Sequence, residues 1–293
     1  MIGISLALLL LATLLPAAAG SEGWKLVWSD EFGYQGRPDP SKWSYETGVI
    51  RNHEPECYTE SLRNVRVENG HLVLEAHREK VLHPVFAKPL RGRDPLRDQF
   101  PVEFTSGSIN TGNKASWLYG RFEIRAKLTQ ETCSWPAFWT LGVNRPEVHW
   151  PACGEIDIME YTGRKNNGSS CIVSSDVHIA RFKNVHPSYT ATTPVAFGDT
   201  SFHTYAMEWY PDRIEFFIDG IKYHTVQMSD LDRNGINPFR NRQYLLLNLS
   251  INRRKLTADP PMHDQFVIDY VRVYQKPGVG LREVSTNSHA FNP

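Results

Sequence analysis

Net charge is the first thing missing from this 293-residue sequence: 32 Lys and Arg stand against 32 Asp and Glu, and the pI is near 7.2. Nucleic-acid binders usually carry a basic face or a basic pI, so the balance argues against that class and favours a neutral partner. Cysteine is sparse. Cys57, Cys133, Cys153 and Cys171 include no C-x-x-C pair, which argues against a structural zinc site. Repeats, low-complexity blocks and Gly/Ser linkers are absent, and no stretch holds helical periodicity beyond a turn or two. Disorder is excluded as well, because 22% charged residues of balanced sign accompany a normal 41% hydrophobic fraction.

Aromatic residues are plentiful, with 8 Trp, 12 Tyr and 14 Phe, enough to leave flat faces for binding something with an apolar side. The first 20 residues contain no charged side chain. Ile2 to Leu15 is apolar except at Gly3, Ser5 and Thr13, and Pro16 and Ala17-Ala18-Ala19 follow. An apolar run too short for a membrane span, followed by small residues, reads as a secretory signal cleaved near Ala19 or Gly20. An uncleaved anchor is the alternative, since no Lys or Arg precedes the run. The expectation is a secreted or periplasmic protein with no membrane association after cleavage, monomeric by default. In an exported chain four cysteines allow two disulfides, in any of three pairings.

Strand signals dominate the remainder. Phe122, Ile124, Ala126 and Leu128 alternate with polar residues, the period of a half-buried strand. Asn69-Gly70 and Asp219-Gly220 separate apolar runs as hairpin turns do. Tyr244 to Leu249 and Phe266 to Tyr274 are further strands. Many strands with frequent turns predict an all-β sandwich or jelly roll. The Pro- and Arg-rich segment from about His77 to Pro101 reads as a long surface insertion.

Chemistry concentrates in Trp150-Pro-Ala-Cys-Gly-Glu155-Ile-Asp157-Ile-Met-Glu160-Tyr-Thr. On a regular strand Glu155 and Asp157 share one face, and Ile156 and Ile158 the other. Glu160 breaks the parity and would face the core, where an unpartnered carboxylate costs several kcal/mol. A one-residue β-bulge near Met159 returns it to the Glu155 face. Four effective steps then separate the two Glu backbones by roughly 13 Å, and inward-reaching side chains leave roughly 5 Å between carboxyls. That approaches the ~5–5.5 Å of a retaining glycosidase rather than the ~6.5–9.5 Å of an inverting one. Carboxylates this close raise one another's pKa and so supply an acid and a base. A solvated acidic face or a calcium site is the competing reading.

This segment closely resembles the catalytic strand of glycoside hydrolase family 16, in its laminarinase-like endo-β-1,3-glucanase group. Leu26-Val-Trp-Ser-Asp-Glu-Phe32, Tyr119 to Leu128, Trp135-Pro-Ala-Phe-Trp139, Phe202 to Trp209 and Asp269 to Tyr274 are similar to other segments of that family, in the same order. The resemblance implies a β-jelly-roll sandwich of two curved antiparallel sheets with a concave substrate cleft. Residues 21–293 would form a single catalytic domain after the 1–20 signal. It implies Glu155 as nucleophile, Glu160 as general acid/base and Asp157 as the partner that sets Glu155's ionisation, with no cofactor needed for catalysis.

Around these, Trp135 and Trp139 share a strand face suited to stacking on a pyranose, and Trp150 is a further candidate. Asn52-x-Glu54-x-Glu56-x-Tyr58 resembles the family's N-x-E-x-Q-x-Y segment, with Glu56 in place of Gln. His178 corresponds to a His beside the acid/base. Some relatives hold a structural calcium, which here would fall to Glu31, Asp269 and the Gly70 carbonyl. After Ser250 the family's Gly-rich turn is replaced by Ile251-Asn-Arg-Arg-Lys255, cations that would narrow the cleft or favour an acidic or sulfated glycan. The implied activity is hydrolysis of β-1,3 or mixed β-1,3/1,4 glucan, a neutral polysaccharide. A galactan hydrolase of agarase or carrageenase type, or a transglycosylase, is the alternative. A non-catalytic β-glucan-binding protein is disfavoured by the retained acid triad.

Overall fold

The computed structural model describes residues 23–278 apart from 52–53, 83–100, 130, 132, 165–169, 181–188, 197–200, 233–236 and 257–262. The proposed signal and Asn52 therefore lie outside the described residues. So does most of the expected insertion, whose two ends prove to be strand: His71–Leu82 pairs antiparallel with Pro101–Ser106. Among the described residues, no helix is long and apolar enough to cross a membrane.

Two sheets face each other as the expected jelly roll, one of ten and one of seven strands among the described residues. The larger runs through the hairpin Arg213–Ile218 and Ile221–Gln227, then His203–Trp209, Gly120–Lys127, His263–Gln275 and His71–Leu82. Its hairpins turn where the sequence places them. Asp219 and Gly220 have φ of 49° and 77°, as a two-residue turn matching strand twist requires.

The smaller sheet carries the chemistry. Its central strands are Ser170–His178, Glu155–Arg164, Ser134–Gly142 and Gln243–Ile251, in that order. Period-two alternation divides each into a core face and an outer face. Val173 and Val177, Ile156 and Ile158, Phe138, and Leu245, Leu247 and Leu249 pack inward against Phe122, Ile124, Phe216 and Ile268 of the larger sheet. Burial of each such side chain contributes ~1.5–3 kcal/mol. The outer face presents Asp176 and His178, Glu155 and Asp157, Trp135 and Trp139, and Asn248 and Ser250.

Three cysteines depart from expectation. Cys57, Cys133 and Cys153 are buried free thiols, so a two-disulfide framework does not form. They sit on different segments as small core side chains, and burial pushes the Cys57 thiol up to about 11.

Gly154 delivers the chain into the acidic strand at φ 77°, where a Cβ would come within 2.8 Å of Pro238 Cβ and 2.9 Å of Phe239 Cε1. Left-handed backbone and overpacking act together here, so Gly154→Ala should cost about 2–4 kcal/mol and lower Tm by roughly 5–10 °C in a thermal melt. An unchanged Tm would contradict this packing.

Candidate active site

The bulge expected near Met159 is present. Asp157 pairs with Trp139 and Met159 with Phe138, and the register between them shifts by one residue. Ile158 and Met159 consequently both enter the core. Glu160 returns to the outer face, lining the same cleft of about 510 Å³ as Glu155 and Asp157.

Glu155, Asp157 and His178 offer ligand atoms that all lie within 4.8 Å of one another. His178 Nε2 stands 3.0 Å from Asp157 Oδ2, 3.8 Å from Glu155 Oε1 and 3.7 Å from Asp176 Oδ2, one imidazole among three carboxyls. On the other flank Trp135 Nε1 donates to Glu160 Oε1 at 2.9 Å. This set could chelate a divalent ion, but the same atoms already engage one another.

Electrostatics follow from burial. Desolvation pushes Glu155 well above the usual carboxylate range, the neighbouring Asp157 charge adds to this, and His178 and Arg51 oppose it. Asp157 is also raised well above its ordinary value, by burial first and then by the charges of Glu160 and Asp176. Glu160 is raised to about 7, chiefly by burial, against the Trp135 hydrogen bond and His178. Burial and mutual repulsion thus favour the protonated forms, and Glu160, near 7, is the acid placed to donate a proton at neutral pH.

The residues expected to bind substrate fare differently. Trp135, Trp150, His178 and Glu54 line the cleft, and Trp150 is 46% exposed. Trp139 lines it too, but it is only 8% exposed. Its Nε1 donates to Asn248 Oδ1 at 2.7 Å, and the Arg51 guanidinium lies 5.0 Å from its ring centroid. Trp139 thus serves partly as a core residue, with little free face for a sugar. Glu56 lies beneath the cleft, 1% exposed. It accepts from Ser250 Oγ at 2.9 Å and Ile251 N at 3.2 Å, with the Tyr58 hydroxyl 3.0 Å away. Burial and then the Glu54 charge push its pKa well up, against the hydrogen bonds from Ser250 and Tyr58.

The calcium set does not fit. Glu31 is held by Arg272 at 2.7 Å and Asp269 hydrogen-bonds Arg125. Each carboxylate is thus neutralised by an arginine from a neighbouring strand, while Gly70 forms the Asn69-Gly70 turn. Arg253–Lys255 form a short 3₁₀ turn outside the cleft lining. The cations in the lining are instead Arg51 and Arg145, which sequence reasoning missed. Asp176 was missed too, although it shares its strand face with His178.

An all-β sandwich whose aromatic-lined trough presents a carboxyl acid and a neighbouring carboxyl group defines a glycoside hydrolase. Comparisons agree with that class. A family model described as Glycosyl hydrolases family 16 matches residues 54–272. The chain is 36% identical over 266 residues to a beta-glucanase of Rhodothermus marinus, covering 86% of this chain and 85% of that one. It is 32% identical over 248 residues to a glucan endo-1,3-beta-glucosidase of Cryptopygus antarcticus, covering 81% and 84%. The laminarinase catalytic domain of Thermotoga maritima superposes with a TM-score of 0.72 at 34% identity, covering 87% of this chain and 99% of that one. The chain belongs to glycosyl hydrolase family 16.

The raised carboxyls make stability depend on pH. Glu160 goes from an ordinary 4.5 to about 7, and Asp264, buried against Thr129 and Ser134, goes from 3.8 to about 6. A folded pKa above the unfolded one gives stability that is complete below the unfolded value and lost as pH rises through the folded value. Tm should therefore fall from about pH 5 to about pH 8, and less steeply in Glu160→Gln. Calorimetry showing a flat or rising Tm would contradict the assignment.

Proposed function

We propose that this protein is an endo-acting β-glucan hydrolase that cleaves β-1,3 or mixed β-1,3/1,4 linkages with retention of configuration. The observation that carries the reading is the register shift between Asp157 and Met159, which sets Glu155 and Glu160 in one cleft. Named relatives with glucanase activity over most of the chain support the substrate class.

In the proposed cycle Glu160 enters protonated and donates its proton to the glycosidic oxygen. Ionised Glu155 attacks the anomeric carbon, forming a glycosyl-enzyme ester as the leaving sugar departs. Glu160, now a base, takes a proton from water, which attacks the same carbon and releases Glu155. Asp157, hydrogen-bonded to Glu155, shares the cluster's proton and orients the nucleophile. Trp135 fixes the Glu160 carboxyl through its indole N–H. No step calls for a metal.

Residues 1–20 are proposed to direct export, giving an extracellular or periplasmic enzyme, with 21–293 as one catalytic domain acting as a monomer. Export would place the enzyme beside polymeric glucan too large to enter a cell.

Glu155→Gln and Glu160→Gln should each retain the wild-type fold while laminarin hydrolysis falls by about 10²–10⁴-fold or more. In the wild type kcat/KM should fall above about pH 7, as Glu160 loses the proton it must donate. Near-normal reducing-sugar release by either variant would defeat the assignment.

A further inference from the structure

The cleft is not lined by acids alone. Arg51 and Arg145 share it with Trp139 and Trp150. They come from separate parts of the chain, Arg51 from the loop before the strand Glu56–Tyr58 and Arg145 from the short helix Arg145–Val148. Both act on half-buried Glu46, and against desolvation their charges, with the Arg51 and Ser108 hydrogen bonds, hold its carboxyl below the usual range.

The charges do not cancel. Arg51 donates to both Glu46 oxygens, at 2.7 and 3.3 Å, and to Ser108 Oγ at 3.1 Å, so Glu46 is matched one for one. Stacked over Trp139 at 5.0 Å and Tyr58 at 5.4 Å, the Arg51 guanidinium covers indole that a neutral sugar would use. Arg145 is exposed and lies beside the Tyr244 hydroxyl. Among the described residues it has no ion-pair partner within 4 Å. Burial also shifts Glu155, Asp157 and Glu160 toward their protonated forms, which lessens their repulsion of an anion.

An exposed guanidinium lining the same cleft as a second one suits charge-assisted, bidentate recognition of an oxyanion. Trp139 lies opposite Asp157 on the adjacent strand. Arg51 is therefore within one or two strand spacings of the catalytic pair, about 5–10 Å, the reach of the sugar next to the one attacked. We propose that Arg145, supported by Arg51, binds an acidic substituent on a sugar held in this cleft, a carboxylate or sulfate ester, and that the preferred substrate is an anionic β-linked polysaccharide. This rests on the hydrolase reading above and deepens it.

The test compares laminarin, laminarin sulfate and laminarin oxidised to the C6 carboxylate, using wild type, Arg145→Gln and Arg254→Gln. Hydrolysis is measured as kcat/KM, and binding by calorimetry in the Glu155→Gln background. The wild type should favour one anionic polymer over laminarin by about tenfold at low salt, and added salt should erode the preference. Which polymer is favoured identifies the substituent. Arg145→Gln should reduce the ratio about tenfold, while Arg254→Gln, outside the cleft lining, should keep it. A preference for neutral laminarin, or one that Arg145→Gln leaves intact, overturns the inference and leaves the hydrolase reading standing. Arg145-dependent binding of anionic polymer without turnover of any of the three removes the hydrolase reading and overturns the substrate claim with it, leaving only an anion-binding cleft.

Discussion

A buried strand cannot easily carry three carboxyls and four apolar side chains in seven residues, and the site is the outcome of that conflict. Strict alternation would send Glu160 into a core made of Phe138, Ile156 and Ile158, at a cost of several kcal/mol for an uncompensated charge. One extra residue between Asp157 and Glu160 removes the cost and buries Met159 as well. Core packing on one face thereby fixes the arrangement of the proposed catalytic acids on the other. The two requirements reinforce each other, since any register that satisfies the apolar residues also gathers the acids.

Gathering the acids creates the second constraint. On the outer face desolvation is the largest cause of every pKa shift in the triad. Cations and donors then decide where the remaining protons sit: His178 between Glu155, Asp157 and Asp176, the Trp135 indole on Glu160, and Arg51 near Glu155. Glu56 shows the same physics one layer deeper. It stands where the resemblance leads one to expect a glutamine, and its carboxyl, pushed up by burial, is accommodated by hydrogen bonds from Ser250, Tyr58 and a backbone amide.

Much of this was legible in the sequence because it is periodic or local. The acidic strand announces its faces through Ile156 and Ile158, and the bulge follows from Glu160's parity alone. Asn69-Gly70 and Asp219-Gly220 mark turns because both residues of each must adopt positive φ. The illegible parts depend on distant partners. Arg51 reaches the cleft from a loop and Arg145 from a single-turn helix, neither marked by periodicity, and the spacing Trp135 to Trp139 does not reveal that Arg51 stacks on the second indole. Glu31 and Asp269 look like cation ligands in sequence because their neutralising partners, Arg272 and Arg125, lie across strand pairings. Cysteine count likewise could not distinguish bridged thiols from core ones.

Proton NMR of the reducing end formed in the first minutes of laminarin hydrolysis probes the central claim, that a bulge sets Glu155 and Glu160 about one anomeric centre, most directly. A double displacement, which needs carboxyls ~5–5.5 Å apart, predicts that the β-anomer appears first and the α-anomer only later, by mutarotation. Initial release of the α-anomer would mean a single displacement through water and would contradict the account.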